Sequence, residues 1–211
     1  MFWPRLHRWL AIMLVFPLAA WSGTGLLFHI KPGWARAYDM LSAERPLSTT
    51  AVASASAVAA TFSERIERIE LFGTALGPMY RVTTARGTEL VDAVGLRRRS
   101  PLSAQDAREL AADAVAHSRQ RDAYGAIGNA VVDGNTMHVT FANAIVDVDR
   151  GSGKLTQRGE DTERIDLLYR IHYLQWSGDP DVDRVIPIAG LALIWIVAFA
   201  GLVLFFKRWR Q

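Results

Sequence analysis

LAIMLVFPLAAWSGTGLLFHI (Leu10–Ile30) and VIPIAGLALIWIVAFAGLVLFF (Val185–Phe206) decide the architecture, because neither stretch carries a single Asp, Glu, Lys or Arg. At 1.5 Å rise per residue, runs of this length cover roughly 30 Å of hydrocarbon. A soluble domain rarely builds two uncharged runs so long, one near each end of its chain. Both read as transmembrane helices, and everything between them reads as a domain held on one side of the membrane.

Charge predicts the orientation. All 21 acidic residues lie between Asp39 and Asp183, whereas Arg5, Arg8, Lys207, Arg208 and Arg210 flank the outer ends with no acid beside them. The positive-inside rule puts both termini in the cytoplasm of a bacterial inner membrane and the central domain in the periplasm. Lys31, Arg36 and Arg184 weaken that bias without reversing it. Within Asp39–Asp183 the 21 acids face 16 bases, a net charge of −5. The pI near 9.5 therefore comes from the membrane flanks, and a nucleic-acid partner loses its main support. Ala19, Ala20, Ser22 and Gly23 would suit a cleaved signal peptide, but the apolar run continues through Leu26, Leu27 and Phe28, longer than an ordinary h-region, so a retained helix is expected. The absence of cysteine excludes disulfides, c-type haem attachment and iron–sulfur ligation by the chain.

The central segment reads as two copies of one unit. Pro46-Leu47-Ser48 recurs as Pro101-Leu102-Ser103, Val82-Thr83 as Val139-Thr140, and Val91-Asp92 as Val146-Asp147, all at offsets of 55 to 57 residues. Each copy opens on a helix. Ser103 caps one whose apolar positions are Ala107, Leu110, Ala111, Ala114 and Val115; Ser48 or Thr49 caps an alanine-rich one over 51–62. Strands are expected at 65–71, 79–84 and 89–94, then at 129–132, 137–141 and 144–148, with Asp133-Gly134-Asn135 as a hairpin turn. Arg65–Leu71 fits a strand loosely, since simple alternation puts Ile66 on one face and Ile69 and Leu71 on the other. A third, amphipathic helix carries Ile165, Leu168, Tyr169, His172 and Trp176 on one face and ends at Gly178-Asp179-Pro180. Trp3, Trp9, Trp34, Trp176 and Trp209 sit near the span ends, as an interfacial aromatic belt would.

Several short motifs resemble those of PepSY-associated transmembrane proteins. His7-Arg8-Trp9-Leu10 resembles the start of that family's first span, and Ser22-Gly23 or Thr24-Gly25 its end. Ala144-Ile145-Val146-Asp147-Val148-Asp149, followed by Gly151-Ser152-Gly153-Lys154-Leu155, resembles the valine–aspartate strand and glycine turn that close a PepSY domain. Leu167-Leu168-Tyr169-Arg170-Ile171-His172 resembles the histidine-bearing helix before the next span. The implied fold is an α+β membrane protein: two transmembrane helices flanking a periplasmic domain of two PepSY-like repeats. Its segments are 1–30 (first span), 31–100 (first repeat with linker), 101–160 (second repeat), 161–183 (amphipathic interfacial helix and linker) and 184–211 (second span). Longer relatives have four or more spans, so a four-helix bundle here would require a homodimer.

Three of the five histidines fall at membrane edges. His7 and His29 are 22 residues apart, which in a straight helix leaves them about 40° apart around the axis and roughly 33 Å apart along it, facing one neighbour. His172 lies on the amphipathic helix. In a dimer His7 would meet its twin, while His29 and His172 would converge at the other face. Paired histidines in a helix bundle hold b-type haem without covalent attachment. Some relatives resemble haem-bearing reductases that pass electrons to ferric siderophores. The resemblance therefore implies His7, His29 and His172 as axial haem-iron ligands, His7 and His172 on motif positions and His29 by geometry. A different reading is a non-enzymatic PepSY module that binds a peptide, protease or envelope partner by strand addition. His117 and His138 read as helix-end and surface groups. Arg97-Arg98-Arg99 reads as a solvated basic run, and Asp147, Asp149 and Asp161 lack calcium-loop spacing. Gly23, Gly25, Gly190 and Gly201 read as helix-packing positions.

Overall fold

A computed structural model describes residues 2–47 and 51–209, with no side-chain description for Phe2, Trp3 and Leu6. The chain divides into two units, Met1–Gly33 with Glu163–Gln211, and Trp34–Thr162.

The first unit is built on α1 (Phe2–Ile30) and α6 (Pro180–Trp209), with most of α5 (Glu160–His172) beside them. His7–Ile30 and Pro180–Trp209 are long and apolar enough to cross a membrane, as the sequence predicts. Pro17 lies inside an unbroken α1. The two helices pack antiparallel along a narrow seam. Among the less exposed positions are His7, Leu10, Leu14, Pro17, Thr24 and Phe28 on α1, and Ile186, Gly190, Leu193, Val197, Ala200 and Leu204 on α6, with Ala11, Ala20 and Leu27, and Pro187, Ile194 and Gly201, beside them. Both sets follow a 3.5-residue repeat, the spacing of a left-handed helix pair. The remaining faces are apolar and bare, with Phe16 80% and Trp195 68% exposed, as lipid-facing surfaces are.

The amphipathic helix α5 ends six residues before the expected stop. Leu174 adopts φ +57°, the Gln175 N–H donates to the Arg170 carbonyl at 2.8 Å, and the Leu174 N–H donates to Ile171 at 3.2 Å. That pair of bonds closes a Schellman motif with leucine in place of glycine, so Trp176 lies beyond the helix rather than on its face.

In the second unit, α2 (Ala55–Ala59) precedes a three-stranded antiparallel sheet, β1 (Ile66–Thr74), β2 (Gly77–Thr84) and β3 (Gly87–Asp92). After it come α3 (Ala104–Ala116), the short α4 (Arg121–Tyr124), and a second antiparallel sheet, β4 (Ile127–Asp133), β5 (Thr136–Phe141), β6 (Ile145–Asp149) and β7 (Leu155–Arg158). Each half is thus a helix followed by a meander. The repeated valines Val82, Val91, Val139 and Val146 are all fully buried at matching places in β2, β3, β5 and β6. The second half has one strand more than expected, β7, and α4 also lay outside the expectation.

Ser103 caps α3 as read, with a capping box to Asp106, and the five expected apolar positions are its buried ones. The first helix is shorter than 51–62 because the chain before it is held extended: the Ala53 N–H donates to the Ala93 carbonyl, and the Tyr80 hydroxyl donates to the Ala53 carbonyl, both at 2.7 Å. Ser54 caps it; the proposed caps Ser48 and Thr49 lie outside the described residues. A bulge between Ile66 and Arg68 resolves the loose alternation in β1. One extra residue flips the phase, so Ile66, Ile69 and Leu71 all pack on the same cluster of Val58, Tyr80, Val82, Val91 and Ala93. The opposite face of that sheet sends Phe72, Met79 and Leu90 into the main core with α3 and the second sheet. The first sheet is therefore buried on both faces.

Of the tryptophans near the span ends, Trp34 is 7% exposed and begins the Trp34–Thr162 unit, whereas Trp9, Trp176 and Trp209 are exposed.

Candidate functional site

The histidines are not equivalent. His172, the last residue of α5, lays its ring against α1 (Glu160–His172 carrying it to Phe2–Ile30). It stacks on Trp21 at 5.5 Å between centroids with 13° between planes, and meets Phe28 edge-on at 5.4 Å. Nδ1 is 2.9 Å from Thr24 Oγ1, and a Cβ on Gly25 would lie 3.5 Å from Cε1. Trp21, Thr24, Gly25 and Phe28 recur at three- and four-residue spacing, so one stripe of α1 forms the whole seat. Tyr169 and Tyr173 extend it: Tyr169 stacks on Phe28 at 4.4 Å and on Tyr173 at 5.9 Å. Nε2 of His172 has no protein partner among the described residues.

His7 lies on the α1–α6 seam, where a Cβ on Gly201 would come within 3.2 Å of its Cε1; Nδ1 is buried without a hydrogen-bond partner. Gly201 thus permits a close approach as read, whereas a Cβ at Gly25 or Gly190 would make only ordinary contact, with His172 and Leu174, and Gly23 faces open space. His29, next to last in α1, is exposed. The 40° estimate assumed a straight helix judged against a fixed neighbour. Measured along the 3.5-residue seam that the pair follows, His29 falls about 100° from the line through His7 and Phe28. Within one chain, His172 accordingly rests on Trp21, Thr24 and Phe28 rather than on His29.

In the Trp34–Thr162 unit, both histidines and several carboxylates outside the core are paired with neighbouring groups. His117 closes α3 with Nδ1 2.9 Å from the Asp113 carbonyl. His138 Nδ1 is 2.6 Å from Asp147, which also takes the Arg158 Nε–H at 3.0 Å. Asp149 caps the following turn, accepting from the N–H and hydroxyl of Ser152 at 2.6 Å each. In the basic run Arg97 and Arg98 are exposed, as read; Arg98 also contacts Glu89 and covers Phe62 at 4.4 Å, and Arg99, less exposed, reaches Asp106 and Asp92. Asp92 is held below the ordinary carboxylate range first by the Gly95 N–H, then, against burial, by the Val94 N–H and Arg99 and Arg97. Among the described residues no group of three His, Cys, Asp or Glu could hold a metal ion.

A buried polar clasp was missed in the sequence. Arg36, 8% exposed, is ion-paired to Asp161, and its carbonyl accepts from Gln157 Nε2 at 2.7 Å. Asp39 accepts from Ser118 and from the Tyr124 hydroxyl at 3.1 Å. Burial, then the Asp39 carboxylate, raises the Tyr124 hydroxyl above the usual phenol range, so it stays a donor.

A family model, the PepSY-associated TM region, matches residues 4–211. No curated protein matches the chain, and no solved structure does.

Proposed function

This chain belongs to the PepSY-associated TM family, and we propose that it is a membrane-anchored b-type haem electron-transfer protein or reductase that delivers electrons to a periplasmic acceptor such as a ferric siderophore. The observation that carries this reading is the seat of His172. Its ring is fixed on one side by Trp21, Thr24 and Phe28, and Nε2 has no protein partner among the described residues. Charge on the membrane flanks supports an inner-membrane protein with cytoplasmic termini.

The residues fit one axial position at a time. His7 and the Thr24 that holds His172 are 17 residues apart on α1, roughly 25 Å along its axis. One iron cannot take both. The reading therefore requires a homodimer, in which His7 pairs with its counterpart and His172 with its counterpart or with the other copy's His29. Haem, when bound, supplies a one-electron iron centre. The chain supplies imidazole ligands, an apolar surround, and at Gly201 the room that lets His7 sit between the helices.

The test is a visible spectrum of the full chain in mild detergent, oxidised and then dithionite-reduced. A sharp Soret band with reduced α and β bands, lost in His172→Ala or His7→Ala, supports the reading. Protein that stays colourless after haemin addition overturns it.

One observation favours the PepSY binding module instead. β4 is an edge strand of the second sheet, uncharged from Ile127 to Val132, with Val131 59% and Val132 52% exposed. Beyond Gly128, whose carbonyl accepts from Arg108 at 2.5 Å, such an edge suits an added strand from a peptide or protein partner. A colourless protein that retains a peptide or protease partner through this edge would establish that reading.

A further inference from the structure

We infer that Thr24 is a positioning residue that locks His172 in its Nδ1–H tautomer and so keeps the ring's lone pair on Nε2. Thr24 Oγ1 stands 2.9 Å from His172 Nδ1, 2.8 Å from the Ala20 carbonyl and 3.0 Å from the Trp21 carbonyl. A hydroxyl has one proton and two lone pairs, and carbonyls only accept. If that proton went to Nδ1, both carbonyls would face hydroxyl lone pairs at hydrogen-bond distance. If it goes to the Ala20 and Trp21 carbonyls, every contact is attractive, provided that His172 donates through Nδ1–H. Thr24 is 6% exposed, so no bulk water can substitute for either partner.

Fixing the proton on one ring nitrogen through a neighbouring acceptor is how proteins prepare the other nitrogen as a ligand. The role rests on the haem reading above; the tautomer does not. Trp21 and Phe28 set the plane of the ring, and Thr24 sets its proton.

The experiment is nitrogen-15 NMR of histidine-labelled full-length protein in detergent, with the His172 signals assigned through His172→Gln. Wild type should show the Nδ1–H form. Thr24→Val keeps the shape of the side chain and should lose that form, reverting toward the Nε2–H tautomer that a free histidine side chain favours. Thr24→Ser keeps the hydroxyl and should restore it. Nε2–H in the wild type, or an unchanged tautomer in Thr24→Val with native helix content, overturns the inference. Haemin titration separates the two proposals. If haem binds, Thr24→Val should weaken it about 10- to 100-fold and Thr24→Ser should not. If the tautomer behaves as stated and no haem binds, the haem reading fails alone.

Discussion

Removing Asp161 should be far more damaging than its place near the end of the domain suggests. Its partner Arg36 has a side chain only 9% exposed, and Asp161 itself is 17% exposed. The guanidinium packs tightly on Gly159, where a Cβ would come within 2.6 Å of Nη1. Nη1 already has no acceptor. Asp161→Ala therefore strands a buried charge, a change that costs about 3–5 kcal/mol. For a domain of this size that lowers the melting temperature by roughly 10–15 °C. Arg36→Met is milder, about 1–3 kcal/mol, since Asp161 still accepts from the Thr162 N–H at 2.9 Å. The double variant should recover to within about 1 kcal/mol of wild type, because an apolar replacement of both partners is near neutral. Hydrogen-exchange mass spectrometry of the full chain in detergent under a urea series reads this out on peptides from α3 and the second sheet. A loss below about 1 kcal/mol for Asp161→Ala, the scale of a surface pair, would refute the argument. So would a double variant as unstable as Asp161→Ala.

Asp92→Asn should lower stability by about 1–2 kcal/mol at neutral pH by weakening the charge-assisted bonds from the Val94 and Gly95 N–H groups. The folded pKa of Asp92 is depressed, so its contribution is present above the unfolded value near 3.8 and is lost as pH falls through the folded value. Urea midpoints of variant and wild type should therefore converge in strong acid, and a constant gap down to the lowest pH would exclude the mechanism. Arg45 pairs with Gly73 at the end of β1, its N–H donating to the Gly73 carbonyl at 2.8 Å, so residues 45–46 lie as a strap across it. Gly73→Ala should detach that strap, because a Cβ would lie 2.7 Å from the Pro46 carbonyl oxygen and 2.8 Å from that of Arg45. Limited proteolysis should then cut near Arg45, and an unchanged cleavage pattern would show that the strap yields without releasing.

Local signals were legible and distant ones were not. The Ser103 cap of α3, the apolar stripe of that helix and the uncharged spans can all be read within a dozen or two residues, since each is a local signal. The β1 bulge was hidden because Ile66, Ile69 and Leu71 carry no mark of an inserted residue; only the pairing with β2 reveals it. The end of α5 was misjudged because Leu174 holds a position where glycine would have announced the stop. Arg36 and Asp161 are 125 residues apart, and Thr24 and His172 are 148 apart. Neither pair leaves any trace in spacing, so the clasp and the histidine seat both required the fold.

The same physics sorts His29 from His172, two residues that the sequence places at the same membrane edge, His172 on a motif position and His29 by helix geometry alone. A lone straight helix brings His29 back to nearly the angle of His7 after 22 residues. Two packed helices do not remain straight relative to each other; they keep a common seam by following a 3.5-residue repeat, and every heptad shifts a 3.6-residue expectation by about 20°. Three heptads are enough to carry the seam from His7 to Phe28 and leave His29 on a bare face. The seam position that remains, together with Trp21, Thr24 and Gly25, is the one that receives His172 from α5. A ligand role for His29 thus depends wholly on a second copy, whereas His172 is oriented within its own chain. Changing His29 to Ala should accordingly leave the His172 tautomer intact, which Thr24→Val should not.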